Sequence, residues 1–186
     1  MTGARVSSGS DSKQDYATPA DFMAAVVARF RAIAFDLAAD EANTKAAFYY
    51  CAPDTVFVPF PWRAFPKCVG VDALAHDWNE TAAEFGGPLF LNPPFADIAP
   101  WARKCAASRE AEILFLVPAS VGSNWFRDHV FGRADVYFLN GRLCFDGKGL
   151  YPKDCILAHF RRDASRSIFI WSWRTDALQS HLGPRS

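Results

Sequence analysis

Apolar and polar positions divide the chain into an early region where helices alternate with strands and a late region where strands cluster. Thr18-Pro19 predicts a helix start, with Thr18 as N-cap, Pro19 in the first helical position and Asp21 at the positive end. Phe22, Val26, Val27 and Phe30 follow at helical spacing. Ala32 to Asp36 reads as a short buried strand ending in a carboxylate. Leu37 to Asp40 reads as a tight turn, and Asn43 to Tyr50 as a helix. Leu89 to Leu91 is a strand, Ile98 to Ala107 a helix, and Ala111 to Val117 a buried strand stopped at Pro118. Ser120 to Val130 is helical or turn-like. Asp135 to Leu139, Cys155 to Phe160 and Ser167 to Trp173 are strands, and Asn140-Gly141 is a hairpin signal leading into Arg142 to Phe145.

That order predicts an α/β fold: a mostly parallel sheet flanked by helices, Rossmann-like, with an antiparallel hairpin at its C-terminal edge. The expected organisation is a polar lead over 1–14, one domain over 15–174 and a frayed tail over 175–186. Cys51 to Val69 is rich in proline and aromatics and reads as an irregular loop with a short strand at Thr55 to Val58. Long loops of this kind are often functional, although a hydrophobic flap over a sheet edge fits the same composition.

Composition narrows the classes. A chain of 186 residues, 51% hydrophobic, holds one sizeable core and is not a disordered chain. Its 20 basic and 20 acidic residues cancel, so any contact with nucleic acid must come from a local patch. Five scattered cysteines without a CxxC pair read as reduced thiols, and no metal site is expected. No apolar run reaches the ~18–20 residues that span a bilayer, and the first residues lack a signal-peptide core. A soluble intracellular protein is the expectation.

The candidate chemistry sits at Leu89-Phe90-Leu91-Asn92-Pro93-Pro94-Phe95. Consecutive prolines fix φ twice and remove two backbone donors, so the strand must stop at Asn92 and leave as a rigid extended turn. In an open α/β sheet, ligands bind at that carboxyl end. An Asn side-chain oxygen and a proline carbonyl can both accept hydrogen bonds from a conjugated amine and orient its lone pair towards a methyl donor. Phe95 would offer a flat face for an extruded base.

Several further motifs stand in a fixed order around this turn: Tyr16-x-Thr18-Pro19, Phe35-Asp36-x-Ala38-Ala39, Trp101-x-x-Lys104, Leu116-Val117-Pro118-Ala119, Trp125-Phe126 and Gly141-Arg142-Leu143-x-Phe145. Together with Asn92-Pro93-Pro94-Phe95 this series resembles the phage-type DNA N6-adenine methyltransferases, small enzymes that use S-adenosylmethionine, over roughly Tyr16 to Phe160.

The resemblance implies a site. Tyr16, Thr18 and Pro19 would help hold the methionine end of S-adenosylmethionine. Asp36 would lie near its amino group, and Ala38 and Ala39 would allow close backbone approach. Asp72 and Leu74, or else Asp77, would border its adenosine. Asn92, which would also border the cofactor, would with Pro93 and Pro94 take the target amine, and Phe95 would stack on the flipped base. The partner would be double-stranded DNA, read by loops and by basic residues near Arg127, Arg133, Arg142 and Arg161-Arg162. The setting would be the cytoplasm of a bacterial host carrying a phage or prophage. The chain departs from the usual pattern in lacking a glycine-rich cofactor loop. Asn-Pro-Pro-aromatic turns also serve methylation of RNA bases and glutamine amides, and a catalytically silent DNA-binding protein of mobile-element origin is a third reading.

Overall fold

The computed structural model describes residues 17–53, 67–145 and 149–181. The expectations for Tyr16 and for a strand at Thr55 to Val58 fall outside them. Among the described residues, eight strands form one sheet: β1 (Phe35–Asp36), β2 (Phe48–Cys51), β3 (Lys67–Val71), β4 (Leu89–Leu91), β5 (Ile113–Pro118), β6 (Asp135–Leu139), β7 (Cys155–Phe160) and β8 (Ile168–Trp171). The order across the sheet is β3-β2-β1-β4-β5-β7-β6-β8. Every neighbouring pair is parallel except β5–β7 and β6–β7. The sheet is therefore mostly parallel with antiparallel C-terminal pairing, as the alternating pattern predicts.

Continuous apolar runs make the central strands, because a strand covered on both faces cannot alternate. All three residues of β4 and all six of β5 are buried. On one face lie α2 (Trp78–Phe85), α3 (Ala99–Ala107) and α4 (Asn124–His129), over a core that includes Phe35, Leu89, Leu91, Phe115, Ile156 and Ala158. On the other lie α1 (Ala20–Phe30) and α5 (Trp173–His181), whose contacts with Phe90, Leu114, Leu116 and Tyr137 form a second core. Phe22 of α1 meets the rings of Trp171 and Trp173 at 5.7 and 5.4 Å.

Several local expectations are corrected. Asn43 to Tyr50 is not helical: Asp40 Oδ1 accepts from the amides of Ala42 and Asn43, an Asx turn that competes with a helix, and the aromatic run from Phe48 then enters the sheet as β2. β1 and β2 are thus parallel neighbours joined by an irregular crossover. Thr18 does not cap α1; Pro19 occupies the N-cap, and the threonine hydroxyl is engaged elsewhere. Asn140-Gly141 turns the chain, with Gly141 at φ 99°, but Arg142 to Phe145 forms no strand; β6 pairs instead with β7. The segment beyond Arg174, read as a frayed tail, continues as α5. Cys51 and Cys68, read as free thiols, are joined by a disulfide because parallel β2 and β3 bring their Cα atoms to 5.9 Å.

Candidate active site

β1 and β4 are adjacent and parallel, with Phe35 opposite Leu89 and Asp36 opposite Phe90. Asp36 and Asn92 therefore leave the sheet side by side at its carboxyl end, and Leu37 N–H donates to the Phe90 carbonyl at 2.8 Å just beyond. A cavity of about 290 Å³ opens there. It gathers Thr18, Asp36, Ala38, Ala39, Asp72, Leu74, Asn92, Pro93 and Pro94 from the sequence-predicted set. These come from five places along the chain: the lead into α1, the β1–β2 crossover, the end of β3, the turn before α2, and the exit from β4.

Three expected residues stand elsewhere. Pro19 begins α1 and does not line the cavity. Phe95 lies beyond the cavity wall, its ring 5.8 Å from that of Phe145 and 5.7 Å from that of Tyr151. Asp77 caps α2 by accepting from Asn79 N–H and Glu80 N–H, so of the two aspartates considered, Asp72 is the one at the cavity.

The turn is held from outside the sheet. Asn92 Nδ2 donates to Thr18 Oγ1 at 3.1 Å, and Thr18 is buried. That bond turns the amide's carbonyl oxygen away from Thr18. Pro93 is buried and Pro94 exposed, so the turn has one face in the protein and one face open.

Asp36 is buried and accepts two backbone hydrogen bonds, from Ala38 N–H at 3.3 Å and Lys45 N–H at 2.8 Å. Burial pushes its carboxyl up to about 7, although both amides and the nearby Lys45 ammonium pull it down. Lys45 is itself shifted down, chiefly by burial, against the attraction of Asp36 and Asp40. A buried carboxylate with no full counter-charge is suited to a ligand cation.

The sequence reading missed other cavity residues. Asp40, Asn43 and Lys45 line it because the crossover is irregular rather than helical. The Asp40–Asn43 pair was the available signal, since it carries turn chemistry into the first residue of the expected helix. Trp101 forms a wall and stacks on Trp78 at 6.3 Å. Lys104 donates to the Leu74 carbonyl at 2.7 Å, which fixes that part of the rim to α3.

Most of the arginines expected to read DNA are not near this cavity. Arg142 follows β6 and pairs with Asp154 at 3.1 Å, towards the same end of the sheet. Arg127, Arg133, Arg161 and Arg162 surround the start of β6 and the end of β7, at the opposite end. The separation is the length of β5, six residues, or about 20 Å.

Among the described residues, no group of three or more His, Cys, Asp or Glu side chains could hold a metal ion. No helix among them is long and apolar enough to cross a membrane.

The Escherichia coli (strain K12) protein named "Putative methyltransferase YfdM" is 34% identical over 84 residues, spanning 45% of this chain and 69% of that protein. A crystal structure of a predicted O-methyltransferase, protein Atu636 from Agrobacterium tumefaciens, superposes with a TM-score of 0.46 at 15% identity, covering 86% of this chain and 95% of that one. A family model for DNA N-6-adenine-methyltransferase (Dam) matches residues 66–172, a span that contains Asn92 to Phe95 and begins after Thr18 and Asp36. With more than half of its length inside that match, the chain is a methyltransferase belonging to the DNA N-6-adenine-methyltransferase (Dam) family.

Proposed function

We propose that the protein transfers the methyl group of S-adenosylmethionine to the exocyclic N6 amine of an adenine turned out of double-stranded DNA. The observation that carries this reading is the meeting of Asp36 and the Asn92-Pro93-Pro94 turn in one cavity. The donor set suits S-adenosylmethionine: a buried carboxylate at one side, Asp72 at another, and apolar walls from Leu37, Leu74 and Trp101. When bound, that cofactor supplies an electrophilic methyl group on a sulfonium centre.

The chain's own residues do the remaining work. Asp36 would hold the amino-acid ammonium, giving the buried carboxylate the counter-charge it lacks. Asp72 and Leu74 would border the adenosine. Asn92, held by Thr18, would accept one N6 hydrogen through its side-chain oxygen, and the Pro93 carbonyl would accept the other. These two bonds would localise the nitrogen lone pair towards the methyl group. With the amine held in this way, N6 would be placed to take the methyl group that the sulfonium centre supplies, and the displaced N6 proton would leave to solvent.

The test is single-turnover transfer of labelled methyl groups to duplex DNA, beside RNA and a glutamine-containing peptide, with calorimetric titration of the cofactor on the same samples. Asn92→Ala should slow transfer to DNA about a hundredfold to a thousandfold, while cofactor affinity stays near that of the parent. Label entering RNA or peptide but not DNA would replace the substrate, and near-parental transfer by Asn92→Ala would remove the turn from the mechanism.

A further inference from the structure

A second concave surface lies at the far end of the sheet from the cavity. It is an open basin of about 900 Å³ between the loop before β5, the end of α4 and the turn after β7. Six arginines line it (Arg109, Arg127, Arg133, Arg161, Arg162 and Arg166), with Glu110 and Asp128 in the lining and Asp135 and Asp163 paired to Arg161. In a chain with no net charge, this is a local excess of cations. All but Arg161 are exposed.

Their charges are only partly satisfied from within. Arg127 pairs with Asp128 at 2.6 Å, Arg162 with Glu110 at 3.2 Å, and Arg161 with the buried Asp135 at 3.1 Å. Arg133 donates through Nε to the Asp128 backbone carbonyl at 2.9 Å, which leaves its guanidinium charge without a carboxylate in that bond. Arg109 and Arg166 make no ion pair among the described residues. Exposed ion pairs such as Arg162–Glu110 contribute little, so a stronger anion can exchange for the carboxylate. Phosphate is that anion, because the guanidinium fork matches two of its oxygens.

We propose that this basin grips the phosphodiester backbone of duplex DNA at a segment other than the one presenting the target base. The proposal rests on the reading of DNA as substrate. It goes further by assigning the arginines to a second, sequence-independent contact about 20 Å from the cavity, the length of β5. A long duplex could then be held at both ends of the sheet at once. The enzyme could stay on the same molecule between transfers.

The test uses the full chain and a long duplex of mixed sequence. Affinity is measured by fluorescence anisotropy across a salt series for the parent, for Arg109→Ala/Arg162→Ala/Arg166→Ala, and for the same positions changed to lysine. Each phosphate contact adds about 0.9 to the salt slope, so the alanine variant should lose about 2.7, and the lysine variant should recover most of it. KM for DNA in methyl transfer should rise in the alanine variant and return towards the parental value in the lysine variant.

An alanine variant with the parental slope would overturn the proposal, as would a parent that does not bind DNA. Full displacement of DNA by inorganic phosphate at equal phosphate concentration would assign the basin to free phosphate. Equal competition by polyglutamate would assign it to an acidic protein. If the slope falls as expected but no DNA is methylated, the arginines still contact DNA, but the substrate reading fails and the assignment to a second segment beside a target base falls with it. If DNA is methylated and the slope does not move, the substrate reading stands and the proposal for the basin fails.

Discussion

Two buried aspartates stand at opposite ends of the sheet, and they behave in opposite ways. Asp36 ends β1 and Asp135 begins β6; they are 3% and 1% exposed. Burial dominates at Asp36 and lifts its carboxyl to about 7. Burial would lift Asp135 too, but the Ser165 hydroxyl, the Ser167 and Ser165 backbone and the Arg161 guanidinium outweigh it and hold the group at about 2. Both side chains have almost no contact with solvent, but Asp36 is packed more deeply, and Asp135 carries more hydrogen bonds and a guanidinium partner. Asp135 has its counter-charge built into the fold, whereas Asp36 faces a cavity and receives two backbone amides and only a partial counter-charge from Lys45. Asp135 is therefore read as structural and Asp36 as a binding group.

Breaking each aspartate separately should split stability from binding. Asp135→Ala strands a partly buried guanidinium and should cost about 2–3 kcal/mol of stability, read by urea unfolding, with cofactor affinity unchanged. Asp36→Ala should do the converse. Loss of one charge-assisted hydrogen bond is worth about 1.5–3 kcal/mol, or roughly ten- to a hundredfold in affinity by calorimetry, and the fold should hold. Equal effects of the two variants on both readouts would erase the distinction.

Acidity sharpens the contrast, because the two groups carry opposite signs. Asp36 lies above its ordinary 3.8, so its favourable contribution to stability is complete below about 4 and is lost as pH rises through about 7. Unfolding of Asp36→Asn beside the parent should show the variant gaining relative stability across that window. Asp135 lies below 3.8, so its contribution is complete above about 4 and disappears as pH falls through about 2. Because the pair needs both the ionised carboxylate and the ligand ammonium, affinity for S-adenosylmethionine should rise about fivefold from about pH 6 to about pH 7.5. A flat profile would separate Asp36 from the ligand. The smallest effect is expected at Phe95: Phe95→Tyr keeps the ring faces towards Phe145 and Tyr151 and should alter single-turnover transfer by less than about threefold.

Elements marked by contiguous chemistry were readable from the sequence. Asp135–Leu139 and Cys155–Phe160 have the boundaries that their apolar runs and flanking turn residues predict, and the Asn-Pro-Pro stop places the end of β4. Asp36 and Asn92 were identified as neighbours in function through a resemblance. Their adjacency in space comes from the pairing of β1 with β4, which no local pattern encodes. The same limit hid the bond between Thr18 and Asn92, whose partners lie 74 residues apart. It also hid the disulfide between Cys51 and Cys68. The crossover before β2 was misread because alanines and aromatics suit a helix or a strand, and the Asx turn at Asp40 decides between them. The arginines were visible as residues, but which end of the sheet they occupy depends on β7 running back between β5 and β6.

The packing of α5 on α1 has a consequence for biosynthesis. Thr18 is positioned by the entry into α1, and α1 rests on Trp171, Trp173 and Ala177 as well as on the sheet. Arg29 on α1 also pairs with Asp176 on α5 at 3.4 Å. A chain emerging from the ribosome makes α1 long before α5, which completes the surface on which α1 rests. A nascent chain stalled between the two would carry both Thr18 and the whole Asn-Pro-Pro turn, with α1 resting on the sheet alone.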